Sequence, residues 1–395
     1  MSGHLAERRV PLWQAGAVFV ALTTLYAAVS FQQYRRMDAF TFDLGFFESV
    51  VRDYAHGRLP ELPVTDTTNA ALHFSPALAL LAPLVLLVSS PLTLLLAQAV
   101  AVASGVVPLM RAAGTGWLPW VAAVSYGLAP GFGALIGFDF HEVALAVPLL
   151  SLSMAAMLRD DHRAAVLWAL PLILVKEDLG LTIAALGVVV FLRGSRRWGA
   201  FAMVFGTVSF VVIMAFVLPA MNADAGGFAD KYAPAGPSDA LRILADGAGN
   251  KLKTVLFLLV PTGVLALRSP MLLLVAVPTF GWRFLSDRAT YWDPWYQYDA
   301  VLVPIAVAAM IEGGRLLHGR IPDPLRVAAL ATAVIGTLVL VPQQALAQVW
   351  RPDFWRTPPV VAEVDQALDL IPTDSRVAAS DNLGPRIALR TELYL

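Results

Sequence analysis

His73–Leu92, HFSPALALLAPLVLLVSSPL, is long and apolar enough to cross a membrane, and whether it does so sets the sidedness of everything after it. If it does not cross, the connections RAAGTG at Arg111, LRDDHR at Arg159 and Arg163, RGSRR at Arg193 to Arg197, Arg268, and GGRLLHGR at Arg315 and Arg320 share the cytoplasmic side. If it crosses, those arginines move outside and the acidic connections at Asp139 and Asp178 move inside, against the positive-inside bias. We therefore read it as a buried or re-entrant helix on the outer side, covered by other helices. The alternative is that it spans and one short segment, 163–176 or 179–193, does not.

The rest of the chain fits a polytopic membrane protein. With 58% hydrophobic and 14% charged residues over 395, it has more apolar surface than one globular core can bury. A net charge of −1 gives no bias toward nucleic acid, and the lack of cysteine removes disulfides and thiolate chemistry. Arg8 and Arg9 precede about twenty apolar residues, which read as an uncleaved first span with its N-terminus inside. About eleven spans follow from hydropathy, near 12–31, 91–110, 117–136, 143–158, 163–176, 179–193, 198–220, 252–267, 269–282, 298–313 and 325–342. Residues 1–343 form the membrane domain, with 32–90 as its first outer loop. Met221 to Asn250 is a lid or surface connection, with Ser238 a cap for DALRILADGAG. Residues 344–395 form an outer α/β segment, incomplete or minimal: a helix near Val360 to Leu370, a strand RVAAS, a turn and a second short helix.

Four connections face outward on this count, and they hold the unusual chemistry. The first loop contains FTFDLGFFESVVRDYAHGRLPEL with Asp43, the second IGFDFHEVAL with Asp139, His141 and Glu142, the third ILVKEDLGLT with Lys176, Glu177 and Asp178. The fourth is GWRFLSDRATYWDPWYQYDAVL, with Arg283 and Tyr298. Charges at span ends are costly unless paired or wetted, so several on one side suggest a shared polar cavity. Blander readings stand beside this one. Lys176 to Asp178 also suits the solvated turn of a hairpin, Asp139 also suits an N-cap for a helix starting at Glu142, and Tyr291 to Tyr298 suits an interfacial aromatic belt better than a sugar platform. Asp139 and His141 could share a divalent cation, although so few ligands are a weak signal. No glycine-rich phosphate loop, G-x-S-x-G or H-E-x-x-H occurs.

The order FDLGFFESV, HFSPALALLAPL, GFDFHEVALA, KEDLGL, over about residues 10 to 390, resembles a bacterial family of multi-pass membrane proteins of unknown function. That family is in turn similar to the GT-C glycosyltransferases, all-α integral membrane enzymes with outer-face amphipathic helices. The resemblance implies transfer of a sugar from a polyprenyl-phosphate donor on the outer face of the cytoplasmic membrane, to an acceptor it does not identify. It also implies a catalytic aspartate in the first loop, matching Asp43, and an acidic residue in the next, matching Asp139 or Glu142. His73, His141, Lys176, Glu177, Asp178, Arg283 and Tyr298 are the substrate-binding candidates. The family tends to carry a histidine beside Tyr298, where this chain has Gln297.

The chemistry suits these residue types. A carboxylate can take the acceptor's proton, and partial desolvation raises its basicity. A leaving phosphate needs cationic donors, for which Lys176, Arg35, Arg36 and Arg283 are available. Leu44, Phe46, Phe47, Val50 and Val51 recur at near-helical spacing, which would lay the loop helix on the bilayer with Asp43 turned to the cavity. The other function classes are a transporter or flippase, for which internal repeats are expected but not found, and a non-catalytic assembly protein.

Overall fold

Apolar residues from Leu12 to Phe31 form the helix Leu12–Arg35, which starts behind Pro11 and ends at Arg36. The structure, a computed structural model, describes residues 9–62, 67–68, 73–221, 234, 236–317 and 322–394. Arg8, Arg320 and residues 222–233 of the loop read between Met221 and Asn250 lie outside the described residues.

A helix occupies every stretch read as a span. Five are long and apolar enough to cross a membrane by length and composition: Leu12–Arg35, Pro91–Ala113, Leu118–Gly137, Arg196–Met221 and Asp323–Gln343. Shorter apolar helices fill Glu142–Met157, His162–Leu174, Leu179–Leu192 and Pro270–Phe284, and Ala248–Leu259 and Val303–Leu316 complete the set. Val303–Leu316 is the central helix, with every side chain from Val303 to Ile311 buried. Arg196–Met221, by contrast, exposes Phe201, Val204, Val208 and Phe216, a surface that suits hydrocarbon and not water. It packs on Leu179–Leu192 through glycines: a Cβ at Gly187 would lie 2.5 Å from the Met203 nitrogen, and one at Gly206 would lie 2.4 Å from the Gly180 oxygen. Small residues let helix backbones approach where no hydrophobic effect pulls them together.

The arginine-bearing turns gather at one end of the bundle. Arg315 donates to the main-chain oxygens of Leu158, at 2.7 Å, and Ala112; Arg193 pairs with Glu312 at 2.8 Å; and the Val10 N–H reaches the Gly114 oxygen at 3.1 Å.

His73–Leu92 does not form one spanning helix. A 3-10 turn Pro76–Leu81 runs into the helix Ala82–Leu87, which ends where Val88 becomes extended; Ser90 then caps the next helix. Leu78, Leu81, Ala82 and Val85 pack against Leu44, Phe47, Val50 and Val51 of the first loop. The loop helix Phe46–Ala55 therefore turns that apolar face to protein, which corrects the expectation that it rests on the bilayer. Leu80, Leu86 and Leu87 on the other side of the 76–87 segment are exposed, so it is this segment that presents apolar surface outward.

Two local expectations are also corrected. Ser238 is not a cap, because Pro237 takes the first helical position of Pro237–Ala245 behind Gly236, and proline is preorganised for that place. In the C-terminal segment the helix Val360–Leu368 and the strand Arg376–Ala378 form as read, and the second short helix is the 3-10 turn Gly384–Arg386. A strand not read from the sequence, Glu392–Tyr394, follows and pairs parallel with the first. Its three residues carry too little periodicity to be seen.

Candidate active site

Asp43 sits in a π-helical turn, Thr41–Gly45, at the start of the first-loop helix. Such turns displace a residue from the regular helical register and recur at functional sites. Here the turn brings Asp43 Oδ1 within 3.2 Å of His141 Nε2, with the carboxylate side chain 17% exposed. His141 belongs to a tightly fixed connection. Asp139 adopts a left-handed φ of 59°, which aspartate tolerates better than most residues. Its main-chain oxygen accepts from the Gln98 amide, whose Oε1 in turn accepts from the His141 N–H at 2.9 Å.

The predicted residues thus meet, but in pairs. Asp139 does not cap the helix at Glu142, where His141 holds the N-cap position without a side-chain bond. Its carboxylate reaches across to the first loop and accepts from the Phe40 N–H at 2.7 Å. Glu142 pairs with Lys176 at 2.9 Å, both nearly buried. Glu177 accepts from the Phe74 N–H at 3.0 Å and pairs with His73 at 2.9 Å, and Asp178 accepts from Trp282 Nε1 at 3.0 Å. The KED connection is therefore a buried, paired cluster, which overturns its reading as a solvated turn. His73, Lys176, Glu177, Asp178, Tyr291 and Tyr298 wall a cleft, together with Trp282. Tyr291, Tyr298 and Trp282 stack edge to face in it, with ring centroids 5.2 to 6.0 Å apart, instead of standing as a belt.

Arg283 and the first-loop arginines do not supply the cleft. Arg283 is fully buried, bonded to Asp299 at 2.5 Å and to the Tyr291 oxygen, and serves as an internal strut beneath Tyr298. Arg36 is engaged by Asp38, Asp353 and Arg356, and Arg35 is exposed and no part of the cleft wall. Gln297 is buried and is no part of that wall either. Among the described residues no three His, Asp or Glu side chains converge as a metal set. A divalent cation at Asp43 and His141 would need substrate or water oxygens for its remaining ligands.

Burial shapes the charges. Burial pushes the Asp139 carboxyl up to about 8; the Phe40 N–H opposes this and the charges of Asp43 and Asp381 add to it. Glu48 lies fully buried nearby with no partner for either oxygen among the described residues, and burial, then Asp139, hold it well above the carboxylate range. At Lys176 burial favours the neutral amine, but Glu142, Asp178 and Glu177 outweigh it and keep the ammonium charged. Burial raises Asp178 to about 6 against the pull of Lys176.

Three contributors escaped the sequence reading. Gln98 was visible only as a lone polar side chain in an apolar span, a signal worth following because such residues are costly unless paired. Trp282 lay within the fourth connection without being singled out there, and Asp381 gave no signal. Asp381 Oδ1 accepts from the Thr41 N–H at 2.9 Å, so the C-terminal segment braces the Asp43 turn. Gln98→Leu is expected to leave the Asp139 oxygen and the His141 N–H buried without partners, at about 1–3 kcal/mol each. Its thermal midpoint in detergent should fall well below that of the wild type; an unchanged midpoint would show that the amide does not hold the connection.

The fold is that of a multi-pass membrane protein. It resembles the crystal structure of ArnT from Cupriavidus metallidurans bound to undecaprenyl phosphate, with a TM-score of 0.54 over 95% of this chain and 85% of that one, at 17% identity. The chain belongs to the family described as predicted membrane protein (DUF2079), whose profile matches residues 33–395. No curated protein matches.

Proposed function

We propose that the chain is a glycosyltransferase that takes a sugar from a polyprenyl-phosphate donor at the outer face of a bacterial cytoplasmic membrane. The observation that carries this reading is the continuity of the site. Asp43 contacts His141, and the next residue, Glu142, pairs with Lys176 in the wall of the aromatic cleft. The likeness to an undecaprenyl-phosphate-bound structure supports the lipid class.

In this reading Asp43 accepts the proton of the acceptor's nucleophile as that atom bonds to the anomeric carbon. The bond from that carbon to the phosphate oxygen breaks, and the electron pair leaves with the phosphate. Lys176 and His73 face the negative charge that develops there. His141 orients Asp43, Glu142 holds Lys176 in place, and Asp139 fixes the first loop through Phe40. Residues 1–343 are the membrane domain and 344–395 its outer segment. The arginine-rich end faces the cytoplasm, with the N-terminus inside and the C-terminus outside.

Orientation is testable because the chain has no cysteine. Phe42, 62% exposed, and Trp117, 75% exposed, lie at opposite ends of the bundle. Phe42→Cys is expected to label in intact cells with an impermeant thiol reagent, and Trp117→Cys only after permeabilisation; the reverse pattern would invert the site. The function itself is tested by native mass spectrometry of the purified protein with undecaprenyl phosphate. Retention is expected, weakened at least tenfold in Lys176→Met/Glu142→Gln, which removes the pair without stranding either buried charge. No retention, or equal retention by the variant, would defeat the proposed donor cleft.

A further inference from the structure

A second cleft opens on the other side of Phe138, whose ring lies 5.8 Å from that of His141. Its polar wall is unlike the first cleft's: Gln33, Gln343, Gln344 and Gln348 bring four amides together, with Arg351 and the exposed Trp295. Two glycines of Leu118–Gly137 build it. A Cβ at Gly133 would lie 2.4 Å from Gln344 Oε1, and one at Gly137 would lie 2.7 Å from the Ala345 Cβ, so only glycine lets the 342–348 segment close onto this helix.

The amides are incompletely satisfied. Gln344 Nε2 donates to the Leu128 oxygen at 3.1 Å, and Gln33 Nε2 approaches the Gly137 oxygen at 3.5 Å. The Oε1 atoms of both buried residues have no partner among the described residues. Those two oxygens are closed off from solvent, so the amides this cleft offers to a ligand are those of Gln343, exposed, and Gln348, half-buried.

We propose that this cleft binds a neutral saccharide, and that it is where the acceptor glycan lies beside Asp43. Each amide both donates and accepts, which matches hydroxyl groups that do the same, whereas a phosphate or carboxylate would call for more cationic partners than Arg351 alone. A lipid chain would leave the amides unpaired. A peptide bound by strand addition would need a sheet edge, and the wall is made of helices and 3-10 turns. Trp295, held by Phe257 and with Lys253 Nζ 4.6 Å from its ring centroid, adds an aromatic edge to the wall.

Saccharide binding does not require chemistry, so its test is separable from that of the proposed reaction, on which the acceptor role rests. The purified protein, in a detergent without a sugar headgroup, is applied to an array of bacterial envelope glycans. Retention of at least one neutral glycan is expected, weakened at least tenfold in Gln343→Leu/Gln348→Leu, whose side chains make no hydrogen bond among the described residues. The proposal is overturned if no glycan is retained, if the double variant binds as tightly as wild type, or if undecaprenyl phosphate displaces the glycan competitively, which would make this cleft part of the donor path.

Discussion

Asp43→Asn is expected to lower sugar transfer from a polyprenyl-phosphate donor by about 10²–10⁴-fold, the contribution typical of a positioned general base. Asparagine has almost the same shape and keeps an oxygen at the position of Oδ1, 3.2 Å from His141 Nε2, so the π-helical turn has no reason to rearrange. What it loses is the lone pair basic enough to take a proton. The measurement is product formation in proteoliposomes carrying a labelled polyprenyl-phosphate sugar, with the thermal midpoint recorded alongside. Loss of transfer with an unchanged midpoint and intact undecaprenyl-phosphate binding assigns Asp43 to the chemical step. Full transfer by the variant would remove Asp43 as the base, and a carrier of the same lipid would bind it equally well in both forms.

The second large effect is on stability against pH, at Asp139→Asn. Unfolded, Asp139 ionises near its ordinary value of about 4, whereas burial first, with Asp43 and Asp381 adding to it, raises it to about 8 in the fold. Below about pH 4 both states hold the proton and the group costs nothing. Between about pH 4 and pH 8 only the folded state holds it, so stability falls as pH rises, by at most about 1.4 kcal/mol per unit. By pH 7 the accumulated cost is on the order of 4 kcal/mol, an upper bound because the unfolded chain is not fully solvated. Asparagine keeps an acceptor for the Phe40 N–H and does not titrate. The variant's advantage in thermal midpoint over wild type should therefore grow from pH 5 to pH 8. A constant difference would mean that Asp139 is ionised in the fold across that range.

The bundle was legible because hydropathy needs only a local count. Twenty apolar residues cannot leave the membrane without cost, and each such run marks a helix, so the apolar helices could be placed along the chain from Leu12 onward. The chemistry-bearing residue types were legible for a related reason. Asp43, Asp139, Glu142 and Lys176 interrupt apolar surroundings where an unpaired charge is expensive, so their presence announced partners. Their partners were not announced. That Asp43 meets His141 while Asp139 turns away to Phe40 depends on a left-handed backbone angle and on Gln98, which sits 41 residues away in another helix. Likewise, the apolar face of Phe46–Ala55 suited lipid and protein equally, and only the arrival of Leu78, Leu81 and Val85 decided between them. Sequence alone thus determined which segments are apolar helices and which side chains need a partner, because both follow from transfer out of water; which partner each one found was decided by tertiary packing, since hydrogen bonds and close contacts act over a few ångströms between residues far apart in the chain.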